Sequence, residues 1–523
     1  MNSLALHWPL PALLVLAGAL RVLFFTGLLG SDDTAYAENA IAMLDGSFRP
    51  AEDMTTMRIA LDAVAAVSFA VLGVSELSLG APALGASLLT LAVVYTIASL
   101  LSGRLAAIIA GTLYVLSPLN ILSSSALLPE VPMGLCVALA ILLFLLGLRA
   151  APIRAAVPLA LLSGVAVGLG YLVKEPAALV IGAFALAGLV RIASGDRAGW
   201  LYALPICGFA LVFAIETAAH FAATGEFLHR FRAIAQHQAV VGLRSEQERR
   251  LQSFWLYPRN MFFVLNQVGL LFYLLIGVGA VASVRRWRTP LLLVFWLVIP
   301  FLYLEFGSTS LTSYNALPKQ PRYLEALTAP AVILLGIWLA EWFRSPGVLA
   351  RRAAYGFLGL YALTSPVFTT ISFVDRQATT QPIRVVASFL ADSRLQPLYA
   401  TSIIANGLSL RSDSSSTSQV SRVCLGCVAG PCASASRGLR GEVWAVPRAF
   451  GGAAVPPVTD CPRWRPEAEV PVPSPPIHRQ AVQSILWLAD RLPMPHAVQR
   501  ELRPLRDLLE PRFVTVYVPS EVP

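Results

Sequence analysis

The run Ile59–Leu79, IALDAVAAVSFAVLGVSELSL, decides how the chain is threaded, because it is apolar and long enough to read either as a membrane span or as a helix at the membrane surface. The charges that follow it settle the choice. Short loops rich in Arg stay on the cytoplasmic side of a membrane, and the chain has five of them, at Arg104, at Arg149 and Arg154, at Arg191 and Arg197, at Arg285, Arg286 and Arg288, and at Arg344, Arg351 and Arg352. They alternate without a break only if Ile59–Leu79 does not cross completely and instead belongs to the first outer loop as a re-entrant or interfacial helix. Counted as a full span, it would put Arg104 outside and throw the later loops out of phase.

That there is a membrane at all follows from composition. Of 523 residues 56% are hydrophobic and only 13% charged, with a mean hydropathy of +0.67, too apolar for a soluble protein of this size. Runs long enough to cross the hydrocarbon core lie at about 8–29, 81–102, 104–118, 130–148, 155–172, 176–193, 199–220, 260–283, 290–307, 323–343 and 353–373, about eleven transmembrane helices. No A-x-A cleavage site separates Trp8–Leu29 from Ser31, so this run reads as a retained first helix with a cytoplasmic N terminus. The net charge of +9 sits in short clusters between apolar runs, which topology explains and a nucleic-acid partner does not. One loop resists the rule. Residues 221–259 carry Arg230, Arg232, Arg244, Arg249, Arg250 and Arg259 yet fall outside on this count; Glu226, Glu246 and Glu248 partly offset them, and Glu226–Ala239 has the spacing of a helix lying in the interface plane.

The expected architecture is therefore an all-α polytopic membrane domain over 1–374, with its first outer loop at 31–80 containing juxtamembrane helices, followed over 375–523 by a small extracytoplasmic α/β domain with Pro- and Ser-rich loops. Strand-like runs fall at Pro397–Ile404, Glu442–Pro447 and Arg512–Pro519, and helix-like runs at Pro382–Ala391 and Arg479–Leu492. Cys424, Cys427, Cys432 and Cys461 cluster in this tail. Even-numbered cysteines in an oxidising compartment point to disulfides, with a zinc site as the sharper alternative, given the C-x2-C spacing and His478. Cys136 and Cys207 lie in apolar spans and read as inert core residues.

No Walker-type phosphate loop, G-x-S-x-G elbow or H-E-x-x-H is present, so the membrane part must itself recognise any donor. Its densest acidic cluster is Ser31–Pro50, SDDTAYAENAIAMLDGSFRP. Ser31 capping a helix with Asp32 and Asp33 in its first turn is the ordinary reading. On the outer face, with Tyr36, Ala40 and Met43 along one side, such a carboxylate can instead take a proton from an incoming hydroxyl or amine, the work of a general base. Glu130, between Pro129 and Pro132, begins a span at the same face and offers a second carboxylate, although an acid in a first helical turn is also ordinary. Lys174 closes a span there; lysines at span ends commonly snorkel, but with Arg58, Lys319 and Arg322 it supplies four cations to offset a lipid phosphate. Arg322 and Tyr323 open a later span, and the planar fork of Arg suits a phosphate. Arg21, inside the first span, is a functional candidate by its position alone.

The stretches SDDTAYAENAIAMLDG, Gly73–Glu76 (GVSE), SPLNILSSSALLPE, GLGYLVKEP and PRYLEALTAP follow one another in an order that resembles the protein O-mannosyltransferase and lipid A aminoarabinose transferase group, integral membrane glycosyltransferases of the GT-C fold. The resemblance spans roughly Leu14–Ile371. It implies an acidic pair in the first outer loop whose first member, Asp32, is the base; the second, Asp33, departs from the usual Glu. It implies that Glu130 stands for a second acid, that Lys174 and the pair Arg322–Tyr323 match the family's span-end residues, and that Arg58 is the nearest basic residue to a lysine that binds lipid phosphate in some members. It further implies a polyprenyl-phosphate sugar donor used at the outer face of the plasma (inner) membrane and an inverting displacement onto a protein, lipid or glycan acceptor. No cofactor or metal is obligatory, with a divalent ion left open. A transporter or flippase of lipid-linked or small solutes is the alternative; it would show paired halves and ionisable groups near the midplane, and no internal repeat is evident. A membrane scaffold binding a partner through its tail is a third. The topology is testable: cysteines placed singly at 32 and 285 should react with an impermeant thiol reagent from opposite faces, and reaction from the same face would overturn it.

Overall fold

The computed structural model describes residues 8–50, 54–150, 153–242, 255–285, 289–308, 317, 319–392 and, in the tail, 398–401, 420–423, 443–447, 464–471, 476–491, 506 and 513–519. The cysteines at 424, 427, 432 and 461, and with them the choice between disulfides and zinc, lie outside the described residues, as does His478's side chain.

Among the described residues seven helices are long and apolar enough to cross a membrane: Glu76–Ser102, Glu130–Arg149, Ile153–Val173, Glu175–Ala193, Ala198–Thr224, Pro321–Arg344 and Val348–Gln377. Five shorter apolar helices accompany them, Pro9–Leu23, Ile59–Leu72, Arg104–Val115, Leu271–Val284 and Leu291–Phe306. The run that opened the reading, Ile59–Leu79, is a 14-residue helix closed by Gly73 at φ +73°, and a new helix begins at Glu76, five residues before the expected span. At 1.5 Å per residue Ile59–Leu72 is about 21 Å long, short of the roughly 30 Å hydrocarbon core. Pro9–Leu23, with 15 residues, is hardly longer, so length alone does not separate the two.

The structure corrects three expectations. The span expected at 260–283 is broken into Leu256–Phe263, Leu265–Val268 and Leu271–Val284, because polar Asn260, Asn266 and Gln267 interrupt the apolar run and Gly269 turns the chain at φ +64°. Pro382–Ala391 is no separate helix of the tail; it is the end of one 45-residue helix, Val348–Asp392, for a fall in hydropathy is not a helix stop signal. Cys207 is exposed on the outer surface of its span and Cys136 is partly buried, so neither is a core residue.

Compact packing divides the chain into one unit comprising 1–25, 39–73 and 80–369 and another comprising 26–38, 74–79 and 370–523. In the first, Pro321–Arg344 is the most enclosed span, with 89% of its apolar window buried. Around it the helices approach through small residues. A Cβ on Gly164 would lie 2.0 Å from the carbonyl oxygen of Pro205, and one on Gly208 2.1 Å from that of Leu161. The backbones of Ile153–Val173 and Leu204–Thr224 are thus in direct contact, the small-residue packing that replaces the hydrophobic drive between helices in lipid. The second unit contains a five-stranded mixed sheet, β1 Leu398–Thr401, β2 Val420–Val423, β3 Val443–Pro447, β4 Trp464–Pro471 and β5 Phe513–Pro519, in the order β2-β1-β3-β5-β4. β1 pairs in parallel with β2 and β3, and β5 antiparallel with β3 and β4. The helix Pro476–Arg491 buries Val482 and Leu486. β2 and β4 had no counterpart among the strand-like runs.

Gly164→Val should lower stability by about 3 kcal/mol or more, read as thermal unfolding in detergent. Gly277→Ala, whose Cβ would meet nothing within 4 Å, should leave stability unchanged or slightly raised.

Candidate functional site

A cavity of about 550 Å3 opens within the first unit. Its lining mixes aromatic and ionic side chains. Phe209, Phe213, Phe231 and Trp296 line it with aromatic rings, whereas Arg58, Glu130, Lys174 and Tyr323 give it an ionic portion.

The ionic portion is built from helix ends. Glu130 is the first residue of its helix, where the helix dipole favours an acid, and is fully buried. Lys174 follows the last residue of Ile153–Val173. Its Nζ donates to Glu130 Oε1 at 2.6 Å and stands 3.8 Å from the centre of the Tyr323 ring, a cation–π contact. Arg322, at the start of the enclosed span, places Nε 3.5 Å from the same Glu130 oxygen and its guanidinium 5.6 Å from the Tyr323 ring. Two cations thus share one carboxylate oxygen. The other, Oε2, is buried and accepts no hydrogen bond from the described residues. Arg58, 3% exposed, caps the N terminus of Ile59–Leu72 and joins the same cavity wall.

Lys319 does not line this cavity. Its Nζ donates to Glu305 Oε1 at 2.8 Å, and Glu305 also accepts from the backbone N–H groups of Trp255, at 2.5 Å, and Tyr257, at 3.2 Å. Lys319 therefore belongs to a closed ion pair that ties down Trp255, the non-glycine residue at φ +81°.

The acidic pair sits in the second unit with Tyr36, and the structure distinguishes its members. Asp33 is wholly buried. It accepts from the Leu29 N–H at 2.6 Å and from the Ser31 N–H at 2.8 Å, so it is committed to holding the loop before its helix. Burial pushes its carboxyl above the ordinary Asp range, opposed by those two backbone donors. Asp32 is half-buried, and Tyr36, one turn on, is fully buried.

Sequence reasoning missed the buried network of Arg230 and gave Arg21 no partners. Arg230, expected on a helix in the interface plane, is instead buried. Its Nε donates to Glu216 Oε1 at 2.6 Å, its Nη1 to Glu175 Oε1 at 2.8 Å and its Nη2 to the Met57 carbonyl at 2.5 Å, while the guanidinium lies 4.6 Å from the Tyr171 ring. The intramembrane acid at 216 was the available signal, since a charge there requires a partner. Arg21 heads a second buried chain. It donates to Ser87 Oγ at 2.7 Å and to Asn120 Oδ1, and Asn120 donates in turn to Glu325, a cavity-lining acid three residues beyond Arg322. Among the described residues no group of three His, Cys, Asp or Glu is placed to hold a metal ion.

Residues 59–220 match the family model of dolichyl-phosphate-mannose-protein mannosyltransferase, less than a third of the chain. A search of curated proteins returns no match. Among solved structures, the chain is similar to ArnT from Cupriavidus metallidurans bound to undecaprenyl phosphate, with a TM-score of 0.59 at 14% identity over 99% of this chain and 98% of that one. The apo state of that ArnT gives 0.55 at 14% identity over 76% and 83%. The Archaeoglobus fulgidus oligosaccharyltransferase tethered to an acceptor peptide containing the NVT sequon gives 0.51 at 11% identity, over 77% of this chain and 63% of that one. At such identities the likeness establishes the fold, and the chain is a multi-pass membrane protein of the GT-C fold, as the resemblance implied.

Glu130→Gln should destabilise the protein by about 3–5 kcal/mol, because it leaves the Lys174 ammonium buried without its counter-ion. The double variant Glu130→Gln/Lys174→Met should recover most of that loss in thermal unfolding; a double variant no more stable than the single one would show that the pair does not act as a unit.

Proposed function

We propose that this chain is a membrane glycosyltransferase that moves a sugar from a polyprenyl phosphate to an acceptor at the outer face of the plasma membrane. The observation that carries the reading is the cavity whose lining combines aromatic rings with buried ionic side chains. Such a lining suits a ligand that is hydrocarbon at one end and phosphate at the other, because apolar walls take the chain without desolvation cost while Arg and Lys take the charge. The GT-C fold and the family match over 59–220 support the same reading.

Lys174, Arg322 and Arg58 receive the lipid phosphate, with the Tyr323 ring in cation–π contact with the first two. Glu130 holds Lys174 and Arg322 together and oriented, and its second oxygen is available to a hydroxyl of the donor sugar. Lys319 acts at one remove, by anchoring the segment that leads into Arg322. Asp32 is the base and Asp33 the residue that holds the loop carrying it, with Tyr36 packed behind.

In the transfer step the Asp32 carboxylate takes the proton of the acceptor O–H or N–H as that atom attacks the anomeric carbon. The bond from anomeric carbon to phosphate oxygen breaks with its electron pair going to the phosphate, and the added negative charge is met by the cations. One in-line displacement inverts the anomeric centre. Membranes from a strain lacking the protein supply donor and acceptor together, so purified protein added to them should release polyprenyl phosphate. Asp32→Asn should reduce that release about 10²–10⁴-fold while inserting normally; full release from the variant would sink the assignment, and movement of the sugar-bearing lipid across the bilayer with no release would favour a flippase.

A further inference from the structure

Nothing in the reaction above uses Arg384, which projects from the helix Val348–Asp392 beyond its apolar part. Its guanidinium closes on two groups distant in sequence. Nε lies 3.2 Å and Nη2 2.7 Å from Glu76 Oε2, and Nη2 also donates to the carbonyl of Thr26 at 2.9 Å. Glu76 is itself held in position, as the first residue of its helix, whose entry is closed by reciprocal bonds between Ser75 and Ser78 at 2.9 and 3.1 Å.

Thr26 begins the segment that leads into the acidic pair. Gly27 follows at φ +71°, and a Cβ there would lie 2.4 Å from Glu76 Oε2 and 2.9 Å from Arg384 Nη2, so the ion pair fills the space beside the backbone. Two residues on, the Leu29 N–H donates to Asp33 Oδ2; then Gly30, also at φ +71°, turns the chain so that the Ser31 N–H reaches Asp33 Oδ1. A continuous run of contacts therefore leads from Arg384 through Thr26 and Gly27 to the loop that Asp33 ties and Asp32 ends.

We infer that Arg384, with Glu76, is a positioning residue for the acidic pair, clamping the backbone at Thr26–Gly27 so that Asp32 is presented in one orientation. The inference rests on the assignment of Asp32 as base. Arg is the residue the task requires, since its planar fork serves a carboxylate and a carbonyl together, whereas the single ammonium of Lys has no such spread. A base displaced by about 1 Å loses on the order of 100-fold in rate, so the clamp acts on turnover, and the cavity that takes the lipid is left alone.

The test uses the full-length protein in lipid nanodiscs, with Arg384→Gln, Arg384→Lys and Gly27→Ala. Gly27→Ala crowds the clamp without removing either charge, which covers the case in which Arg384→Gln fails to fold. Hydrogen exchange at the amides of Leu29 and Ser31 should accelerate about tenfold or more in Arg384→Gln and Gly27→Ala, and kcat for polyprenyl phosphate release should fall on the order of 100-fold with KM for the donor unchanged. Arg384→Lys should lie between the wild type and Arg384→Gln. Binding of undecaprenyl phosphate itself should be the same in all four proteins. Unchanged exchange at Leu29 and Ser31 would overturn the clamp; faster exchange with unchanged kcat, or a loss confined to KM, would overturn the positioning role. Failure of the base assignment shows itself separately, as an active Asp32→Asn, and leaves the exchange result to stand alone.

Discussion

An ion in a membrane interior must carry its own counter-charge with it, and the helix-bundle unit is arranged around that necessity. Glu130, Lys174, Arg230 and Glu305 are all buried, and the cost of burying any of them alone is several kcal/mol. Each is accordingly closed against a partner on another segment: Lys174 on Glu130, Arg230 on Glu216 and Glu175, Lys319 on Glu305. These bonds join residues far apart in the chain, so the ion pairs do for helix register what a hydrophobic core does in water. They hold particular segments together, and one of the pairs, Lys174 on Glu130, lies in the cavity wall.

The same requirement shapes the site's chemistry. On the function proposed above, a phosphate arriving beside Lys174 and Arg322 would compete with Glu130 for cations that are already oriented, so little reorganisation would be needed on binding and the favourable charge would be in place before the bond to the leaving group stretches. Tyr323 serves both cations through its ring face. The most enclosed helix begins at Arg322 and Tyr323.

Much of this was legible in the sequence, for reasons that can be named. Apolar length and Arg-rich loops mark spans because lipid tolerates neither exposed backbone nor uncompensated charge; seven of the eleven expected runs coincide with described helices long enough to cross, and the other four hold shorter apolar helices. Glu130, Lys174, Arg322 and Tyr323 were named as polar residues at span ends on one side of the membrane, and the structure brings them together. What stayed hidden depends on pairings across long separations. Arg230 looked like a surface cation until Glu216 and Glu175 were brought to it, and Lys319 was grouped with the other cations by side of the membrane, a coordinate too coarse to show that Glu305 had already claimed it. The break near Gly269 was missed because a window that averages hydropathy passes over two Asn and a Gln. Asp32 and Asp33 are neighbours of one type, and only the backbone donors at Leu29 and Ser31 tell them apart.

The glycine contact between Ile153–Val173 and Leu204–Thr224 bears on how the chain is made. Gly164 and Gly208 are 44 residues apart in the sequence, which at roughly 5–20 residues per second is about two to nine seconds of synthesis. For that interval the first helix has emerged and its partner has not, and the strip of backbone uncovered at Gly164 has no matching surface to meet. The helix Glu175–Ala193 must be placed before the two can close. Substitutions in this strip would therefore register first as chains lost during insertion, lowering yield in the membrane while the molecules that do assemble keep their full turnover.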